Sequence, residues 1–226
     1  MTDAGVARLV PFGDAAVLVE FDGDDEATEA RVLRLAGAVE RLHAADPAFG
    51  RAVPGFSSVL VPVDPLEPGV DGAMERLGQL VGEVAAQPSR ELPSGPLVEL
   101  PTRYGGSDGP DLDEVAALHD LRAADIVELH ASVEYRVRYL GFAPGFAYLW
   151  RLPDGLATPR LATPRALVPP GSVAIAGGHT AVYPFASPGG WRLLGRTHVR
   201  IWDVTADPPA LLLPGRRVRF VPVTDP

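Results

Sequence analysis

Apolar and polar positions in the first third of the chain alternate in two rhythms. Val6 to Phe12 and Ala15 to Phe21 are short apolar runs divided by Gly13-Asp14. Those two residues accept the positive φ of a tight turn, so the pattern predicts a hairpin. The spacing then changes. Val32, Leu35, Val39 and Leu42 recur at steps of three and four, one stripe of a helix that Asp24 or Asp25 would cap. Arg51 to Val53 and Ser57 to Val63 predict a second strand pair, and Met74, Leu77, Leu80, Val81 and Val84 mark a second amphipathic helix. The order ββαββα is that of an α+β sandwich.

Periodicity stops between Ala86 and Pro96, where a polar, proline-rich stretch reads as a linker. We place a domain boundary there, giving an α+β domain over residues 1–90 and a mainly β domain over residues 91–226. The second part opens with a strand, Leu97 to Leu100, and a loop from Tyr104 to Pro110. A helix begins at Asp111, and Glu114 three residues on suggests a capping box. A further short helix ends near His130. Beyond it the expected strands are Tyr135 to Phe142, Ser172 to Ala176, Ala181 to Tyr183, Arg192 to Leu194, Val199 to Val204 and Val218 to Val223. Many short strands with frequent turns predict a closed or nearly closed barrel. The tandem Thr158-Pro-Arg-Leu-Ala162 and Thr163-Pro-Arg-Ala-Leu167 is too short to be a solenoid unit.

Composition narrows the chemistry. The 226 residues are 46% hydrophobic and 22% charged, enough apolar material for a sizeable core. All 20 basic residues are arginine, which removes lysine Schiff bases and any phosphate loop that relies on an ammonium group. A net charge of −9 opposes nucleic-acid backbones, so no such partner is expected. With no cysteine there is neither disulfide nor thiol chemistry. The N-terminus shows no signal-peptide pattern, and no apolar run reaches the roughly 18 residues of a membrane span. A cytoplasmic address without membrane contact is expected.

Three Gly/Pro/aromatic clusters carry the candidate chemistry: Tyr139 to Leu149, Gly171 to Gly177 and Tyr183 to Trp191. Pro144-Gly145 fits the centre of a type II turn, with Phe142 and Phe146 on its flanks. Those rings either cover a flat ligand or fill the barrel core, and the Tyr148 hydroxyl needs a partner if buried. Arg160 and Arg165 follow prolines on a stiff loop; their planar forks suit an acidic substrate, or else pair with surface acids. Arg196 carries the same alternatives. Of the five histidines, His130 either serves as a base or caps a helix C-terminus as a cation, and His179 either faces the pocket or packs. Their spacing supports no metal site. Ser187 reads as a turn opener before Pro188, and Trp191 either stacks on a ligand or covers the barrel end.

The combined pattern resembles one family. Tyr104-Gly-Gly, Gly109-Pro-Asp-Leu112, Leu140-Gly-Phe-Ala-Pro-Gly-Phe-Ala-Tyr-Leu149, Pro159-Arg160, Thr163-Pro-Arg165, Val168 to Gly177, Ser187-Pro-Gly-Gly-Trp191 and Gly195-Arg-Thr197 are similar to the B subunit of bacterial 5-oxoprolinase, also called the KipI or allophanate hydrolase subunit 1 family. The resemblance implies a small α+β domain followed by a cyclophilin-like β barrel. It further implies a hetero-oligomer with the C-type subunit of 5-oxoprolinase, which has a related barrel fold, and with the A-type one. That assembly would use ATP, with magnesium, to open 5-oxo-L-proline to L-glutamate.

By the same resemblance, Arg160, Arg165 and His130 are the expected catalytic residues. Phe142, Gly145, Phe146, Tyr148, His179, Thr180, Tyr183, Ser187, Gly189, Trp191 and Arg196 are the expected substrate contacts. Two departures bear on substrate choice: Ala147 stands where the family commonly has proline, and His179-Thr-Ala-Val where it has Gln-Thr-Gly-Ile. The family's other names keep two alternatives open, an inhibitor of a sensor histidine kinase and a component of allophanate hydrolase that releases ammonia.

Overall fold

A computed structural model describes residues 7–23, 25–86, 95–153 and 155–224. The chain divides between residues 93 and 94 into two compact units. The linker stretch at 87–94 and the capping candidate Asp24 lie outside the described residues.

The first unit runs β1 (Arg8–Pro11), β2 (Ala16–Glu20), α1 (Glu26–Ala45), β3 (Val53–Pro54), β4 (Ser58–Pro62) and α2 (Gly69–Ala86). Its antiparallel sheet has the order β1-β2-β4-β3. Alternation on β2 and β4 buries Val17, Val19, Val59 and Val61 against the helix residues Val32, Leu35, Val39, Leu77, Leu80 and Val84. Each such side chain contributes about 1.5–3 kcal/mol when removed from water. Asp25 is the N-cap of α1. Its carboxylate accepts hydrogen bonds from the Thr28 N–H and hydroxyl, both at 2.8 Å, which holds its carboxyl below the usual range. The third strand is shorter than expected. The Ala52 N–H is taken by the Glu40 carboxylate at 3.1 Å, and Pro54 brings no donor to a ladder.

The second unit continues with β5 (Leu97–Tyr104), α3 (Leu112–Leu118), α4 (Ala123–Ala131), β6 (Tyr135–Leu140), β7 (Ala147–Trp150), β8 (Arg165–Val168), β9 (Ser172–Ala176), β10 (His179–Val182), β11 (Ser187–Gly189), β12 (Arg192–Thr197) and β13 (Arg217–Pro222). Seven strands close a barrel in the order β10-β7-β6-β13-β5-β12-β9, while β8 and β11 form a separate ribbon. Only β5 and β13 pair in parallel; the other barrel pairings are antiparallel. Leu100, Val137, Leu149, Val173, Ile175, Val182, Leu194 and Phe220 point inward, with Val115 and Ile126 of the helices in the same core.

Two local expectations are corrected. Val199 to Val204 is not a strand; one bridge, Trp202 with Ala210, marks the base of a turn-rich loop, where Pro208 and Pro209 bring no backbone donors. At Asp111 no side-chain cap forms, because its carboxylate is engaged across the barrel surface instead. Among the described residues, no helix is long and apolar enough to cross a membrane.

Candidate functional site

The inward alternation of the barrel strands leaves a second set of side chains on its outer surface. Tyr148 and Trp150 of β7, Ala174 and Ala176 of β9, His179 and Ala181 of β10 and Leu193 of β12 face outward, opposite the core residues Leu149, Val173, Ile175 and Val182. The alanines keep this patch low, so large rings can lie on it. One ring arrives by a turn. The Phe146 N–H donates to the Ala143 carbonyl at 3.0 Å, and Gly145, at the third position, has φ +75°, the type II geometry expected of Pro144-Gly145. Gly145 also admits close contact, since a Cβ there would lie 2.9 Å from the Trp202 ring.

Phe146 is buried and meets Tyr148 and Tyr183 at 5.2 Å and Trp191 at 5.5 Å, all edge to face. Tyr148 meets Trp191 at 5.6 Å and stacks on Tyr139 at 4.4 Å. A Cβ on Gly189 would run into the Tyr183 hydroxyl, so the two approach closely only with glycine there. Phe142 differs from its neighbours. It is 62% exposed and adopts φ +66°, an uncommon conformation for a bulky residue, while its ring touches Phe146 at 5.2 Å. At the other edge Trp150 packs on His179 at 4.9 Å and lies under the Arg138 guanidinium at 4.7 Å.

The loop bearing the tandem arginines is tied beside this floor at three points. Gly177 donates to the Thr158 carbonyl at 2.8 Å, Leu161 donates to Gly190 at 2.8 Å, and Arg165 Nη2 reaches Asp111 Oδ1 at 2.6 Å. Asp111 is buried, and its other oxygen accepts the Leu193 N–H at 2.7 Å. Arg192 reinforces the anchor, pairing with Glu114 at 2.6 Å and donating to the Pro159 carbonyl at 3.4 Å. Arg165 is thereby committed to Asp111, with the Trp191 carbonyl 3.5 Å away. Arg160 is exposed and has no ion-pair partner among the described residues. Its charge lowers the pKa of Tyr139, Tyr148, His179 and Tyr183, so it stands within electrostatic range of the aromatic floor.

Electrostatics follow from this crowding. Burial, and then the Arg138 and Arg160 guanidinium groups, push His179 down to about 4, so its ring is neutral at pH 7. Burial pushes Tyr139 up to about 12. The face therefore offers flat apolar surface, neutral hydrogen-bonding groups and the positive charge of Arg160. Such a surface suits a small planar molecule that carries an anionic group.

The structure thus brings Phe142, Phe146, Tyr148, His179, Tyr183, Gly189 and Trp191 onto one face with Arg160, Arg165 at its border and Gly145 in the turn beneath. Ser187 opens β11, opposite Val168 on the ribbon that borders the face. Three expected residues lie elsewhere. Arg196 lines a separate cleft. Thr180 and His130 are turned into the barrel, wholly buried.

His130 is not a cation at a helix end, because burial holds its pKa at about 3 and the ring is neutral. Thr180 donates to the Ala174 carbonyl at 3.0 Å, so its oxygen accepts the Nε2–H of His130 at 2.9 Å; Nδ1 then accepts the Tyr104 hydroxyl at 2.7 Å. Asp111 and Arg138 are participants that sequence reasoning misses, whereas Tyr139 opens the first of the expected clusters. Asp111 is readable only as a cap, and its Asp-Leu-Asp-Glu context gives no sign of a partner in the Thr-Pro-Arg repeat.

A nucleotide's phosphates would find guanidinium groups in this unit. Among the described residues no group of three or more His, Cys, Asp or Glu could hold a metal, so an accompanying magnesium ion would need ligands from outside them.

Residues 7–212 match the family model described as the carboxyltransferase domain, subdomain C and D, which sets the class of the chain. More narrowly, the chain belongs to the family of 5-oxoprolinase B subunits. It is 44% identical over 217 residues to the 5-oxoprolinase B subunit of Escherichia coli O157:H7, covering 96% of each chain. It is 35% identical over 225 residues to the 5-oxoprolinase B subunit of Bacillus subtilis strain 168, covering 96% of this chain and 93% of that one. Among solved structures, TTHA0988 superposes with a TM-score of 0.77 at 36% identity over 95% of this chain. The chain spans 41% of that longer protein.

Proposed function

We propose that this chain is one component of an ATP-dependent 5-oxoprolinase that opens 5-oxo-L-proline to L-glutamate with partner subunits of the C and A types. The observation that supports it is the aromatic floor within electrostatic range of the exposed Arg160, in a chain 44% identical to a protein named as the B subunit of 5-oxoprolinase. The substrate is a flat lactam with one carboxylate. Arg160 would hold that carboxylate in a charge-assisted pair, Tyr148 and Phe142 would flank the ring, and neutral His179 would bond the amide. Arg165, neutralised by Asp111, would fix the loop that carries Arg160.

An amide resists hydrolysis, and ATP supplies the activation by phosphorylating the lactam oxygen. One water then adds at the activated carbon, the C–N bond breaks and the nitrogen takes up a proton as the amine. Another water releases phosphate from the new carboxyl group. Because the described residues place no carboxylate base on the face, the partner subunits would supply the remaining groups.

The test is reconstitution. Purified chain, both partner subunits, ATP and 5-oxoproline should yield glutamate well above the partners alone, and Arg160→Ala should raise KM for 5-oxoproline at least tenfold. Glutamate formation that ignores this chain would end the proposal.

A further inference from the structure

Arg196 does not reach the aromatic face. With Pro170, Gly171, His198, Arg200 and Trp202 it lines a neighbouring cleft of about 260 Å³. The walls are held by main-chain bonds: Gly171 donates to Tyr183 at 2.7 Å, Thr197 to Gly171 at 2.9 Å, and Leu211 to Ile201 at 2.9 Å. Gly171 sits at φ +80°, and a Cβ there would collide with the Thr197 carbonyl, so the two wall segments approach this closely only with glycine.

The lining is cationic in a chain whose net charge is −9. Arg196 donates through Nε to the Pro170 carbonyl at 2.9 Å, which fixes the guanidinium plane and leaves its terminal nitrogens for a ligand. It has no carboxylate partner among the described residues. Arg200 is steadied by Asp203 at 3.0 Å, and that carboxylate also accepts the Thr205 N–H and hydroxyl. Among the described residues no acidic side chain lines the cleft. Arg196, without a carboxylate partner among the described residues, and Arg200, held by Asp203, thus bring two guanidinium forks to one concavity. The Trp202 ring packs on Gly145, so the cleft shares a wall with the turn that carries Phe146.

We propose that this cleft binds the phosphate chain of a nucleotide. Its volume falls just below the roughly 300–1,000 Å³ of pockets that enclose whole drug-sized ligands, which suits a polyphosphate with its nucleoside projecting outward. Naming the nucleotide as ATP rests on the 5-oxoprolinase reading; binding of the polyphosphate itself does not.

Isothermal titration of the full chain at low salt tests it, with sodium tripolyphosphate, ATP and adenosine as probes. Tripolyphosphate and ATP should bind with similar affinity, adenosine should not bind, and added salt should weaken the interaction. Arg196→Gln and Arg200→Gln should each lower affinity at least tenfold with unchanged melting temperature, and Arg160→Gln should leave it unchanged. Absence of heat with tripolyphosphate overturns the proposal. So does an Arg160→Gln loss equal to that of Arg196→Gln, which would move the anion to the aromatic face. If reconstituted glutamate formation fails while tripolyphosphate binding still requires Arg196, the reaction assignment falls and the cleft stands.

Discussion

The two faces of β10 treat a histidine neighbour in opposite ways. Inside the barrel, Thr180 meets His130 in a closed chain from the Tyr104 hydroxyl through the imidazole to the Ala174 carbonyl, with Phe220 against the ring at 4.6 Å. Outside, His179 lies one residue away among Tyr148, Trp150 and two arginines. Both rings are neutral at pH 7, yet for different reasons. Burial alone lowers the basicity of His130, whereas burial acts together with Arg138 and Arg160 on His179. A buried polar group whose partners are complete stabilises the fold and has nothing left to give a ligand. The His179 ring, only partly covered, lies instead on a face that also carries the exposed Arg160.

Breaking the interior chain should have the largest effect. His130→Ala leaves a cavity, strands the Tyr104 hydroxyl and removes the donor to Thr180 Oγ1, so it should cost about 3–5 kcal/mol in urea unfolding. pH sharpens the point. The folded pKa of His130 lies near 3, below the ordinary 6.5, so the unfolded chain binds the extra proton. The stability it contributes is fully present above pH 6.5 and declines as pH falls toward 3. Between pH 7 and 5 the wild type should lose about 2 kcal/mol more than His130→Gln, which keeps both hydrogen bonds without the titration. Equal losses in the two proteins would show that the imidazole is not the buried neutral group described.

On the outer face the expected losses are smaller. Asp111→Asn keeps the shape but removes the charge that Arg165 faces at 2.6 Å, and should cost about 2 kcal/mol. It should also loosen the loop of Arg160, seen as greater acrylamide quenching of Trp191. Unchanged stability with unchanged quenching would remove Asp111 as the anchor.

The regular parts of this architecture were legible because periodicity records burial. The valines of β2 and β4 and the stripes on α1 and α2 lie where the pattern put them, and the Pro144-Gly145 turn has its expected form. The aromatic face was legible as a set of residues, since Gly/Pro/aromatic clusters have few other uses. Its membership was not fully readable. Thr180 and His179 are adjacent in sequence and face opposite ways, and only the register of β10 against β9, with Thr180 opposite Ile175, decides which is inside. Asp111 and Arg165 are far apart in the chain, and no local pattern encodes a contact of that range. The strand expected at Val199 to Val204 failed because an apolar run beside prolines also suits a loop packed on a barrel end.

The smallest effect isolates the charge that distinguishes the outer face. Arg160 is exposed and makes no ion pair among the described residues, so Arg160→Gln should change stability by less than about 0.5 kcal/mol. Its electrostatic signature should nevertheless appear at His179. Arg160 is one of the causes that keep that ring from taking a proton, and removing it should move the His179 pKa upward from about 4, followed by NMR titration of the imidazole protons. The ring stays buried against Trp150, so the shift should be partial, because desolvation is the larger cause. His130 should not respond, since no arginine contributes to its shift. A titration in which both histidines moved together, or neither did, would mean that Arg160 does not stand within electrostatic range of the aromatic floor, and the contrast between the two faces of β10 would lose its electrostatic basis.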